Sequence, residues 1–180
     1  MKMEVCVLSP VLGKQFEPVR KLIGGEPFDF KLSSPVPNVL RTALGVLDLH
    51  RKEDLTAVLP ELTYKDDGFQ GRVLEEILRE VGVRTVAACY RQSGMSALMD
   101  FSKTAWQKVW EHVAKNGGSR GIVFCEPILA QALGIAMVGP TQPAADDFLN
   151  LVLNPGEGFA ISFHDGAAHG LRELKALAVA

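Results

Sequence analysis

The chain has 180 residues, of which 47% are hydrophobic and 22% are charged, and its formal net charge is −2. This composition excludes an intrinsically disordered protein, because enough apolar surface is present to offset the entropy lost on folding. The near balance of 19 basic and 21 acidic residues argues against nucleic acid as a partner. Length and composition together predict a single domain over residues 1–180.

Cysteine usage and the amino-terminal segment indicate where the protein works. Three cysteines are too few for a disulfide framework, which favours a reducing, cytoplasmic compartment. The first eight residues do not resemble a signal peptide, because Glu4 interrupts a short apolar run. No apolar run reaches the roughly 18 residues that a spanning helix needs, so we expect no membrane partner.

The first 32 residues predict the order strand, helix, strand. Residues 3–8 form an apolar run ended by Ser9 and Pro10, which is typical of a buried strand. Apolar residues at helical intervals predict a helix over 11–23, with a kink or a break near Glu17 because Pro18 lies inside the pattern. Alternating apolar residues over 28–32 predict the second strand.

Residues 33–68 are predicted to form a helical insertion that covers the core or contacts a partner. A proline-rich loop precedes an amphipathic helix over 39–49. A further short helical turn over 54–59 is stopped by Pro60.

The middle of the chain predicts two amphipathic helices on either side of a strand. An apolar stripe predicts a helix that ends at Gly82, and residues 83–89 are predicted to form a strand. The helix predicted over 94–116 carries two apolar stripes, the second containing Trp106 and Trp110. Such a helix is covered twice, so we expect a homo-oligomer formed through 33–68 or 95–113, unless the insertion itself covers the helix.

The last third continues the alternation. Its predicted elements are a strand over 121–125, a helix over 127–133, a strand over 135–138, a helix from Thr141 to about Leu151, a strand over 159–163 and a helix over 166–178. This alternation predicts an α/β fold with three layers: a mostly parallel, Rossmann-like sheet of five or six strands with helices on both faces. The strand over 159–163 can also run antiparallel after the turn that precedes it.

The predicted fold also places a ligand site. Ligands of open α/β sheets bind outside the carboxyl ends of the parallel strands, and two loops at this edge, 91–96 and 164–170, are predicted to open helices whose free N–H groups attract anions. We therefore expect a small anionic metabolite, a carboxylate or a phosphate, although neither standard nucleotide-binding glycine motif is present. The candidate ligand-binding residues are Ser9, Arg91, Ser93, Gly94, Thr141, Asp165 and Gly166.

Cys125 and His164 are the candidate catalytic residues. Cys125 lies between a predicted strand and a predicted helix, where the helix dipole favours the thiolate and the turn resembles a nucleophile elbow. His164 ends the last predicted strand and could serve as general acid or base. These residues predict a cysteine-dependent hydrolase or transferase, whereas Glu126 disfavours the thiolate and a buried structural cysteine is the simpler interpretation.

Two alternatives use the same residues differently. Cys89, Cys125, His164 and His169 could bind zinc, but they lack the paired spacing of a zinc site, so neither a metal nor a cofactor is expected. The alternative to an enzyme is a ligand-binding or oligomer-forming sensor or scaffold without chemistry.

Overall fold

The computed structural model describes residues 2–65, 68–82, 84–91, 95–140 and 142–175. Six strands form one mixed sheet in the order β3-β2-β4-β1-β5-β6. Strands β3, β2, β4 and β1 run parallel to one another, and β5 and β6 are antiparallel to their neighbours. The strands are β1 (Lys2–Leu8), β2 (Phe30–Ser33), β3 (Ala57–Val58), β4 (Arg120–Phe124), β5 (Gly158–His164) and β6 (Ala167–Leu174).

Seven α-helices and two short 3-10 helices cover the two faces of this sheet in the described part of the chain. The helices are α1 (Glu17–Ile23), α2 (Pro37–Leu47), α3 (Phe69–Val81), α4 (Val86–Arg91), α5 (Met95–Asn116), α6 (Pro127–Val138) and α7 (Ala144–Leu149), with 3-10 helices at Lys52–Asp54 and Pro60–Leu62. None of the described helices is both long enough and apolar enough to cross a membrane.

Two hydrophobic clusters show that the fold has three layers. Val5 and Val7 of β1 belong to a cluster with residues of α5, α6 and α7, whereas Cys6 and Leu8 belong to a cluster with α1 and α2. Alternate residues of a strand point to opposite faces, so an unbroken apolar run suits a strand covered on both sides. The predicted three-layer α/β fold with a largely parallel sheet is confirmed.

The segment 33–68 does more than cover the core. Its helix α2 packs on the sheet face shared with α1, and its strand β3 pairs in parallel with β2 at the edge of the sheet. The helical turn predicted over 54–59 is therefore wrong, since this stretch contains β3. The sheet also departs from the Rossmann order 3-2-1-4-5-6, because β4 lies between β2 and β1.

Two predicted strands are helical in the structure. Most of the stretch predicted as a strand over 83–89 belongs to helix α4, although Val83 itself lies outside the described residues, and residues 135–138 continue α6. Short apolar runs are ambiguous between strand and buried helix, and α6 is buried around most of its circumference. Gly134 lies inside α6 and does not end it. The Phe148 ring packs where a Cβ at this position would be, which explains the glycine.

Within the stretch predicted as a helix over 166–178, residues Ala167–Leu174 form strand β6, and residues 176–178 lie outside the described part of the chain. Asp165 and Gly166 both have positive φ, 50° and 82°, and form the two-residue turn of a β-hairpin between β5 and β6. An Asp-Gly pair is a strong hairpin signal, so the sequence contained the information. The antiparallel alternative for the strand over 159–163 is confirmed.

Candidate functional site

The carboxyl edge of the sheet is formed by the ends of the parallel strands. Ser9, Ser34 and Cys125 directly follow β1, β2 and β4. Their backbones are joined across this edge, since Ser34 N donates to Phe124 O at 2.9 Å and Cys125 N donates to Leu8 O at 3.2 Å. Strand β5 is antiparallel and therefore begins here, with Gly158 opposite Leu8.

A buried carboxyl group lies at the centre of this edge. Glu126 is 5% exposed and immediately precedes α6. Thr63 Oγ1 donates to its Oε1 at 2.9 Å, and Ser34 Oγ donates to its Oε2 at 3.4 Å. Burial raises the pKa of Glu126, while hydrogen bonds from its own backbone and from these hydroxyls act in the opposite direction. The group thus carries a proton more readily than an exposed glutamate.

A second hydrogen-bonded group ties β1 to the loop before β5. The Ser9 hydroxyl is within hydrogen-bond distance of the carbonyls of Asn154 and Glu157, at 2.8 and 2.9 Å. The Asn154 amide Nδ2 donates to the Glu157 carboxylate at 2.9 Å. Ser9 is fully buried, so its predicted ligand contact is not available on this surface.

A cavity of about 300 Å³ opens beside the start of α6; we call it the edge cavity. Arg84 supplies a guanidinium group there, and one of its nitrogens donates to Asn154 Oδ1 at 3.1 Å. No side chain caps the first turn of α6, whose free N–H groups and dipole favour an anion. The lining residues are Tyr64, Leu78, Arg84, Pro127, Ile128 and Leu153.

Cys125 lies at the carboxyl edge as predicted, but its thiol does not reach a surface. Its side chain is fully buried in the cluster that contains α5 and α6. Burial raises the pKa of Cys125 well above its usual range, and the neighbouring Glu126 adds to this effect. Both effects disfavour the thiolate, and the buried thiol lacks the electropositive, accessible surroundings of a reactive cysteine.

The topology separates His164 from Cys125. His164 ends the antiparallel strand β5 and pairs with Lys2 at the start of β1, which places it at the amino edge of the sheet. Asp165 and Gly166 follow in the hairpin turn at the same edge, with Asp165 Oδ2 lying 3.7 Å from His164 Nδ1. The structure therefore does not bring the expected nucleophile and its base together.

Of the remaining candidate ligand-binding residues, one lies in a helix and three lie outside the described part of the chain. Arg91 is the last residue of α4 and is exposed; it does not follow a strand. Ser93, Gly94 and Thr141 lie outside the described residues. In the described part of the chain, no group of three or more His, Cys, Asp or Glu side chains could hold a metal ion.

Sequence reasoning missed Arg84, Tyr64 and Thr63. Arg84 falls in the stretch predicted as a strand, and Thr63 and Tyr64 fall in the predicted insertion. Glu126 is predicted to lie at the carboxyl edge beside Cys125, but the only role assigned to it is its effect on that thiol. Glu126 follows a strand and precedes Pro127 at the first helical position, a signal that places its carboxyl group at this edge.

The fold is similar to several solved structures. A phosphoglycerate mutase from Bacillus anthracis str. Sterne matches with a TM-score of 0.59 and 14% sequence identity, over 98% of this chain and 92% of that one. A mycobacterial glucosyl-3-phosphoglycerate phosphatase matches with a TM-score of 0.61 and 14% identity, over 96% of this chain and 97% of that one. These likenesses show a shared α/β fold.

A third similar structure was determined with a ligand. It is a histidine-to-alanine mutant of a phosphoserine phosphatase from Entamoeba histolytica, in complex with phosphoserine. It matches with a TM-score of 0.61 and 10% identity, over 99% of this chain and 100% of that one. No protein-family model matches this chain, and no curated protein matches it by sequence.

Proposed function

We propose that this protein binds a small phosphate-bearing ligand in the edge cavity. The observation that carries the proposal is the Arg84 guanidinium beside the uncapped start of the 12-residue helix α6. Both groups favour an anion, and they lie at the carboxyl edge, where ligands of α/β sheets bind. The fold shared with phosphoglycerate mutase and with phosphatases supports a phosphate over a carboxylate.

The residues around the cavity favour binding without covalent chemistry. His164 and His169 lie on the β5–β6 hairpin at the amino edge, His112 lies in α5, and His50 follows α2. The serine, threonine and cysteine side chains described at the carboxyl edge are buried and engaged within the protein. None of the residues that line the cavity is a serine, threonine, cysteine or histidine, so a phosphoryl group bound here would not meet these common nucleophiles.

Glu126 also fits this proposal. Its carboxyl group neighbours Pro127, which lines the cavity, and would repel a phosphate when ionised. Burial raises the pKa of Glu126, which reduces this competing charge. Tyr64 is mostly buried, and burial raises its pKa as well, so it would remain a neutral wall of the cavity beside an anionic ligand.

The test is a calorimetric titration of the whole protein with inorganic phosphate and, separately, with glycerol phosphate. We expect saturable binding that Arg84→Gln weakens at least about tenfold, because a hydrogen-bonded charge contributes roughly 1.5–3 kcal/mol. The matched control is Arg51→Gln, which removes an exposed arginine that does not line the cavity and should leave the affinity unchanged. Absence of binding, or equal affinity in Arg84→Gln, would overturn the proposal.

A further inference from the structure

A second cavity, of about 520 Å³, lies on the outer surface of α2; we call it the α2 groove. It is formed between α2 and the loop that follows β1. It belongs to the layer of α1 and α2, whereas Cys125 and α6 pack on the other face of the sheet. The groove residues used below are Lys14, Phe16, Pro37, Leu40, Arg41 and Leu44.

The walls of the groove are apolar and only partly covered. Phe16, Leu40 and Leu44 pack against the buried cluster beneath them but remain partly exposed. The Phe16 ring lies directly over the backbone of α2, since a Cβ at Gly45 would overlap the ring carbons. Gly45 therefore allows Phe16 to form a fixed wall, and an apolar chain in the groove would be removed from water.

Two cations flank this apolar surface without a counter-charge. Lys14 and Arg41 are exposed, and neither side chain has a hydrogen bond or an ion pair in the described part of the chain. By contrast, Arg20 of the neighbouring helix is 3.4 Å from Asp48 and donates to the Gly45 carbonyl at 2.6 Å. No acidic side chain is among the residues described around the groove.

The start of α2 adds to this positive potential. The helix has 11 residues, begins at Pro37 and has no side-chain cap, so its unpaired N–H groups lie at the same end of the groove as Pro37. Apolar walls with two unpaired cations at the rim match a ligand that has an anionic head and an apolar tail.

We propose that the α2 groove binds a free amphiphilic carboxylate, such as a medium-chain fatty acid. Lys14 and Arg41 would hold the carboxylate, and Phe16, Leu40 and Leu44 would contact the alkyl chain. The volume is within the range of about 300–1,000 Å³ typical of small-molecule sites, which favours a single small ligand over a partner helix. The site is independent of phosphate binding in the edge cavity.

The first test is calorimetric titration of the whole protein with decanoate below its micellar concentration. We expect saturable binding of one ligand, with octanoate binding roughly fifteenfold more weakly, since each buried methylene changes affinity about fourfold. Decanol should bind about two- to fivefold more weakly than decanoate, because it lacks the charge. Equal binding of decanol and decanoate would overturn the proposal.

The second test removes the cations. Lys14→Gln with Arg41→Gln should weaken decanoate binding about two- to fivefold and leave decanol binding unchanged. The matched control, Lys103→Gln with Arg79→Gln, removes two exposed cations from α5 and α3. It should change the affinity for neither decanoate nor decanol. Unchanged decanoate affinity in the Lys14→Gln, Arg41→Gln double variant would contradict the assignment of the α2 groove as a carboxylate site. Association of the protein with anionic vesicles, without binding of free decanoate, would contradict it as well.

Discussion

At the residue scale, burial decides what the reactive groups in and beside the sheet can do. The thiols of Cys6 and Cys125 are completely buried, and desolvation raises the pKa of Cys6 to about 12. The same effect acts on Glu126, whose carboxyl group is held by the hydroxyls of Thr63 and Ser34. Desolvation disfavours the charged form, so these groups are weaker acids in the folded protein than in the unfolded chain.

Glu126 should therefore make stability depend on pH in a definite direction. Because the pKa of Glu126 is raised on folding, its contribution favours the folded state below the unfolded pKa of 4.5 and is lost as pH rises through the folded pKa. As pH rises above 4.5, the free energy of unfolding of the native protein should fall relative to that of Glu126→Gln. The fall is at most about 1.4 kcal/mol per pH unit. Urea unfolding of both proteins at a series of pH values from 4.5 upward measures this difference in the free energy of unfolding.

The control for this experiment is Glu76→Gln, the same chemical change at an exposed position of α3. Comparing it with the native protein separates the effect of burial from the loss of one negative charge. If the stability difference between the native protein and Glu126→Gln does not change with pH, the hydrogen bonds to the carboxyl group offset burial. If the difference grows in favour of glutamate as pH rises, the hydrogen bonds outweigh burial. Either result would contradict the prediction.

At the element scale, the hairpin turn between β5 and β6 determines the direction of the last strand. Gly166 has φ of 82°, a conformation that side chains with a Cβ adopt only with strain. Open space surrounds the position, so a substitution there changes backbone strain without a steric clash. The turn also determines that His164 and His169 face each other, with ring centroids 5.6 Å apart.

Gly166→Ala should lower the free energy of unfolding by about 1–2 kcal/mol, the cost of a left-handed conformation for a residue with a Cβ. Gly25→Ala is the matched control, since Gly25 has equally open surroundings and no positive φ. Chemical denaturation of the two variants measures the difference. Equal stability of the two variants would be inconsistent with the turn described here.

The long helix α5 shows how one chain can cover a helix that is apolar on two sides. The Trp106 ring stacks on Phe163 of β5 with centroids 5.6 Å apart, and Trp110 lies 6.3 Å from the same ring. The 3-10 helix at Pro60–Leu62 also packs against α5. The second apolar stripe is thus partly covered within the chain, and association through 95–113 remains a prediction.

At the scale of the whole molecule, the mixed sheet gives the protein two chemically different edges. The carboxyl edge holds the edge cavity and the buried Glu126, whereas the amino edge holds His164 and Asp165. The two edges are separated by the length of β1, whose seven residues span about 23 Å at 3.3 Å each. A ligand in the edge cavity therefore does not contact His164.

This topology predicts that His164→Ala leaves phosphate affinity unchanged, while Arg84→Gln weakens it. The same calorimetric titration measures both, and His112→Ala provides a histidine control from α5, at a position that does not line the edge cavity. A loss of phosphate binding in His164→Ala comparable to that in Arg84→Gln would mean that the ligand binds at the amino edge.

The three-layer α/β class could be predicted from residue patterns alone, because apolar periodicity reports which faces of an element are buried. The same patterns placed Ser9 and Cys125 correctly at strand ends. They did not distinguish the buried helix α6 from a helix followed by a strand, since a short run that is apolar on every side lacks a period.

Strand order, and with it the neighbours of each candidate residue, became known only from the folded molecule. Placing β4 between β2 and β1 brings Glu126 within reach of Ser34 and Thr63, which are 92 and 63 residues away along the chain. Reversing β5 carries His164 to the opposite edge. Contacts between residues so distant in sequence depend on how whole elements pack, which local patterns of side chains do not encode.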